Sequence, residues 1–174
     1  MKMQFTYNIF LIGFMGSGKS TVADYLCEKF DMDVVEMDQV IADRERMSIS
    51  DIFEKCGEPY FRDLETKLLV ELQEKTNTVV SCGGGVAMRE CNVAEMKKNG
   101  KVVLLTAKPE TILERVENNH DRPLLENNKT VAYIAELMEK RREKYEAAAD
   151  MIIETDGKSA QKICEEMIQR LGER

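Results

Sequence analysis

The segment GFMGSGKS, residues 13–20, sets three glycines, a lysine and a serine directly after the apolar run YNIFLI. Glycine adopts backbone conformations closed to other residues, so successive N–H groups can turn inward and form a nest for an anion. The apolar spacing Val22, Leu26, Phe30 predicts a helix beginning near Lys19. Its positive N-terminal end would face the same anion. A lysine in the first turn of a helix is unfavourable unless a negative charge sits nearby. The order Gly13-x-x-x-x-Gly18-Lys19-Ser20, with strand before and helix after, matches the P-loop pattern. With glycine at about 7% of residues, a chance match is on the order of 1% or less. Gly16, Ser17, Gly18, Lys19, Ser20 and Thr21 are therefore the candidate nucleotide-binding residues. Lys19 can reach the β- and γ-phosphates, and the Ser20 hydroxyl suits Mg²⁺.

Downstream, apolar runs and helical spacings alternate. Strands are expected at 7–12, 34–37, 78–82, 101–106 and 151–154. Helices are expected at 20–30, 38–46, 50–56, 59–75, 90–99, 109–118, 130–148 and 159–171, with Gly100 capping the fifth. Alternating strands and helices imply parallel pairing through right-handed crossovers. The near-continuous apolar character of YNIFLI and VVLL fits strands buried on both faces. The expected fold is α/β: a P-loop kinase of three α/β/α layers around a five-stranded parallel sheet. Ligands of such sheets bind beyond the carboxyl ends of the strands. The loop at 13–20 and the run SCGGG both lie at such ends. The 174 residues suit one domain spanning 1–174, with a polar, lid-like loop at 118–129.

A formal net charge of -7 argues against nucleic acid or an anionic membrane as partner. The five scattered cysteines and the single histidine, His120, give neither a disulfide framework nor a zinc site. No apolar stretch reaches the roughly 18 residues of a membrane span, and the N-terminal run reads as a first strand, not a signal peptide. A cytoplasmic, monomeric protein is expected. A GTP-dependent switch would need a guanine-reading NKxD-like segment; NNKT at 127–130 lacks the aspartate.

Several residues carry two readings each. Asp38, at the carboxyl edge of the second strand, can take a proton from or orient an attacking hydroxyl; it can equally cap the following helix. Arg62 can bind an anion or pair along its helix with Glu58 or Glu65. Arg141 has Leu137, Met138, Lys144 and Tyr145 as helical neighbours, none acidic, and so seeks a partner elsewhere, whereas Arg142 has Glu139 and Glu146 in reach and belongs to the surface. Two arginines can grip a carboxylate through paired, charge-assisted bonds. Gly83, Gly84 and Gly85 offer either a loop of positive φ or close approach of backbone to a ligand. Arg122, before Pro123, sits in the lid-like loop. There it is either solvated beside Asp121 or brought in by closure to stabilise the transferring phosphoryl group, an effect of roughly 10³–10⁵ in rate.

The ordered motifs GFMGSGKST, MDQVI, FRDLE, CGGGV, DRPLL and RREKY, spread over most of the chain, resemble the shikimate kinase family. The resemblance implies transfer of the ATP γ-phosphate, with Mg²⁺, to the 3-hydroxyl of shikimate in aromatic amino-acid (chorismate) biosynthesis. It implies that Asp38 contacts the acceptor hydroxyl, that Arg62 and Arg141 hold the shikimate carboxylate, and that Gly84 offers an N–H to the substrate. It also implies that Arg122 closes with the lid, that Arg115 stacks on the adenine, and that Lys158 approaches the nucleotide from the last loop. Two positions depart from the family's pattern. Glu36-Met37-Asp38 stands where Asp-x-Asp is usual, and TDGKSAQ lacks a proline often found in the last loop. The rival readings are a related small kinase, such as one for gluconate, and an ATP-binding regulatory module without phosphoryl transfer.

Overall fold

Successive side chains of a strand point to opposite faces, and here both faces of the sheet are apolar. Phe10, Ile12, Val80, Val102 and Leu104 join one core cluster, while Ile9, Leu11, Val79, Val103 and Leu105 join another. Helices must therefore cover both sides. The computed structural model describes residues 4–116 and 130–172. Its strands are β1 (Asn8–Ile12), β2 (Asp33–Glu36), β3 (Thr78–Ser81), β4 (Gly100–Thr106) and β5 (Met151–Glu154), all parallel, in the order β2-β3-β1-β4-β5. The helices are α1 (Lys19–Phe30), α2 (Met37–Glu45), α3 (Ile49–Cys56), α4 (Glu58–Glu71), α5 (Glu90–Lys98), α6 (Pro109–Val116), α7 (Val131–Ala148) and α8 (Ala160–Gly172).

The cluster holding Ile9 and Leu11 packs α1 (Val22, Leu26) and α8 (Ile163, Met167) against one face. The other face carries Ile41 of α2, Ile52 of α3, Phe61 and Leu69 of α4, Met96 of α5, Ile112 of α6 and Ile134 of α7. Each such side chain, fully buried, contributes roughly 1.5–3 kcal/mol. The expected three layers and five parallel strands are thus present. Among the described residues no helix is long and apolar enough to cross a membrane.

The sheet order positions the site. Because β1 pairs with β3 on one side and β4 on the other, the loop after Ile12 emerges beside the glycines after Ser81. Asn8, fully buried, pins the opposite end: its amide donates to Leu72 O (3.2 Å) and Lys75 O (3.0 Å) and accepts from Thr78 N (3.2 Å).

Some boundaries differ from the sequence expectation. Met37 opens α2 instead of closing β2. Helix α4 stops at Glu71 and continues as a 3-10 turn, Leu72–Glu74; a second such turn, Val86–Met88, was not expected. Gly100 starts β4 and does not cap α5, whose C-cap is Asn99. A side chain at Gly100 would run into the Phe10 ring, so packing on the neighbouring strand decides the residue.

Candidate active site

The loop after β1 holds Gly16 at φ 79° and Gly18 at φ 102°, a region that other residues enter only with strain. Helix α1 begins on Gly18 with no side-chain cap and no acidic residue in its first turn. By contrast α3 is capped by Ser48 and α7 by Thr130. Among the described residues no side chain caps the N–H groups at the start of α1, so they and the helix's positive pole face the loop. Lys19, buried, arches back over the loop and donates to Gly13 O (2.7 Å) and Phe14 O (3.1 Å). Ser17 serves the loop's own shape: its N–H closes a turn onto Phe14 O at 3.1 Å, and its side chain is buried. The Ser20 hydroxyl donates to Glu36 Oε2 at 3.0 Å. Burial pushes the Glu36 carboxyl above its ordinary value, against the pull of hydrogen bonds from Ser20 and Ser81.

A cleft of about 280 Å³ joins this loop to the glycine turn. Gly16, Lys19, Ser20, Glu36, Asp38 and Gly84 are among its lining residues. A larger cavity, about 360 Å³, lies behind Phe14 between α7 and the strands β4 and β5. It is mainly apolar, and although Glu139 and Glu146 line it, only the smaller of the two brings glycine backbone and a lysine together with carboxylates.

The three glycines after β3 each meet a different predicted residue. A Cβ on Gly83 would lie 2.9 Å from Asp38 Oδ1 and 2.7 Å from Glu65 Oε2. One on Gly84 would lie 3.0 Å from Arg141 Nη1, and one on Gly85 2.5 Å from the Arg62 guanidinium carbon. The absence of side chains there is what lets a carboxylate and two guanidinium groups converge on one turn. Asp38 stands in the first turn of α2, whose N-cap is Glu36. The capping role considered for Asp38 is therefore not the one it occupies.

Of the two readings of Arg62, the structure shows the pairing along its helix. It pairs along α4 with Glu58 (2.9 Å) and Glu65 (2.8 Å), and the pairs hold its guanidinium against Gly85 and over the Phe61 ring, 5.3 Å away. Glu65 is fully buried, with Oε1 on Arg62 and no hydrogen-bond partner at Oε2. Burial lifts its carboxyl to about 7; Arg62 opposes the rise and Asp38 adds to it. Arg141, as expected, finds no acid on its own helix. Its guanidinium lies 5.8 Å from the Phe14 ring centre, and Nη1 reaches the Tyr145 hydroxyl at 3.5 Å. Arg142 pairs with Glu139 and Glu146 at the surface.

Arg115 lines the cleft and donates to Gly16 O (2.9 Å) and Thr155 Oγ1 (3.2 Å), tying the phosphate loop to the segment after β5. Lys158 pairs with Glu166 at 2.9 Å and does not line the cleft. Arg122, His120 and the lid at 118–129 lie outside the described residues. Glu65, Phe14 and Tyr145 were not singled out from sequence as site residues. For Glu65 a signal existed: Phe61, Glu65, Leu68 and Leu72 share one helical face, so an acid sits on the apolar stripe.

Both the sequence and the fold have counterparts among known proteins. The sequence profile of the family described as Shikimate kinase matches residues 15–172. The shikimate kinase of Persephonella marina is 45% identical over 94% of this chain and 98% of its own. That of a Sulfurihydrogenibium species is 43% identical over 96% and 99% respectively. The solved shikimate kinase from Acinetobacter baumannii in complex with shikimate superposes with a TM-score of 0.90 at 33% identity, covering 95% of this chain and 92% of that one. With its family profile matched over residues 15–172 and near end-to-end similarity in sequence and fold, this chain belongs to the shikimate kinase family.

Proposed function

We propose that the cleft carries out phosphoryl transfer from ATP to the 3-hydroxyl of shikimate, with the roles below. The enzyme is an ATP-dependent shikimate kinase; what supports the residue roles is the glycine turn, where Asp38, Arg141 and Arg62 meet Gly83, Gly84 and Gly85 in turn. Backbone N–H groups of Gly16, Ser17, Gly18 and Lys19, with Ser20 and Thr21 beside them at the uncapped end of α1, hold the nucleotide phosphates. Lys19 exchanges its loop carbonyls for phosphate oxygens. Arg141 and Arg62 grip the acceptor's carboxylate, and the Gly84 N–H fixes its ring. Asp38 orients the attacking hydroxyl and receives its proton. Arg115 stacks on the adenine; Lys158 joins it only by leaving Glu166. Arg122, outside the described residues, enters with the lid.

Catalysis then comes mostly from positioning and from charges set in advance. The Ser20 hydroxyl beside the Glu36 carboxylate is a pair of hard oxygen donors that fits Mg²⁺. Bound there, the ion would neutralise phosphate charge. The longer Glu36 side chain reaches the Ser20 hydroxyl, so the departure from Asp-x-Asp keeps the charge at that point. A monomer of one domain, working in the cytoplasm, completes the reading.

Acceptor-dependent ADP release in a coupled assay tests it. Shikimate should stimulate turnover, and gluconate should not. Equal stimulation by gluconate, or none by either acid, would overturn the assignment.

A further inference from the structure

A run of three glycines has little rigidity of its own, and each glycine loses more backbone freedom on ordering than any other residue. Something must therefore hold the turn at 83–85 in the shape that brings Gly84 to the substrate. The geometry points to Tyr145 as a positioning residue: its hydroxyl joins the Gly84 backbone to Arg141, so that two groups proposed to bind one carboxylic acid keep a fixed spacing.

The phenol donates to Gly84 O at 2.5 Å and accepts from Arg141 Nη1 at 3.5 Å. Its ring belongs to the buried core, with 5% of the residue exposed. Fixing the Gly84 carbonyl fixes the plane of the peptide joining Gly84 to Gly85, and so anchors the turn on the carboxyl side of the residue whose N–H is presented. On the other side, Arg141 lies between the Tyr145 hydroxyl and the Phe14 ring, 5.8 Å from its centre. Among the described residues no ion pair restrains it, so these two contacts set its direction. A Cβ at 84 would stand 3.0 Å from Arg141 Nη1 and 3.8 Å from the Tyr145 oxygen, so glycine there lets the arginine come close to the turn. Lys144, one residue earlier, donates to Met88 O at 3.1 Å and ties the same stretch of α7 to the turn Val86–Met88. Burial also raises the phenol above its ordinary titration range, so the donor stays protonated wherever the enzyme is assayed.

The inference rests on Arg141 and Gly84 binding shikimate, and the test separates the two claims. Tyr145→Phe keeps the ring and removes only the hydroxyl. It should raise the shikimate KM about fivefold or more and move the ATP KM less than twofold. Arg141→Lys should raise the shikimate KM alone, and by a smaller factor in the Tyr145→Phe background than in the wild type. A merely structural hydroxyl would lower the melting temperature and leave the shikimate KM in place. That outcome, alongside a raised KM in Arg141→Lys, overturns the inference while sparing the substrate reading. So does a simple product of the two factors in the double variant. An unchanged shikimate KM in Arg141→Lys overturns both.

Discussion

Glu65→Gln isolates the titration of one buried carboxyl. Glu65 is fully buried with its pKa lifted to about 7 from an ordinary 4.5. The folded protein therefore holds a proton there that the unfolded chain releases at lower pH. Between those two values the native state binds more protons, so stability falls as pH rises. The contribution is complete below 4.5 and lost as pH passes through 7. The gap between those values amounts to roughly 3 kcal/mol across the whole window, most of it between pH 5 and 8. Glutamine keeps the shape and does not titrate, and Arg62 retains Glu58. Urea denaturation followed by circular dichroism, at half-unit steps of pH, gives the stability of both proteins. The difference between them should move by roughly 2 to 3 kcal/mol in the variant's favour from pH 5 to pH 8. Curves that stay parallel over that range would show that Glu65 is ionised throughout, and would refute the claim that desolvation outweighs Arg62.

Asp38→Asn should lower kcat by about 100-fold or more with the ATP KM within twofold, read in the coupled assay; a kcat within tenfold of wild type would remove Asp38 from proton transfer. Gly16→Ala should destabilise the fold by about 2 kcal/mol or more, since alanine must adopt φ 79° with its Cβ 2.9 Å from Val116 Cγ1. It should also weaken ATP binding, and calorimetry with and without nucleotide measures both. Arg122→Ala should cut kcat by about 10³ with little change in the shikimate KM; an unchanged kcat would take the lid arginine out of the mechanism.

The phosphate loop and the sheet were legible because local chemistry dictates them. Gly16 and Gly18 need positive φ, and strands buried on both faces must read as apolar runs. What escaped was set by contacts far apart in sequence. Gly100 looks like a helix cap until Phe10 of the adjacent strand is seen beside it. Asn8 reads as one polar residue in an apolar run, yet it satisfies backbone groups some 65–70 positions away. Helical spacing gave Arg62 two acids and Arg141 none, and both statements hold. Spacing could not say that the paired arginine and the unpaired one face the same turn. Glu65 shows a further limit: its position on an apolar stripe was visible, but its depth beside Asp38 depends on how α4 docks against the end of β3.

The bare N-terminus of α1 has a practical consequence at the bench. With no side-chain cap on its first N–H groups and no acidic residue of its own in the first turn, the loop will accept small oxyanions that the solution offers. Phosphate or sulfate buffers should raise the melting temperature of the nucleotide-free enzyme and compete with ATP, so kinetic constants taken in them will understate how well the enzyme holds its donor.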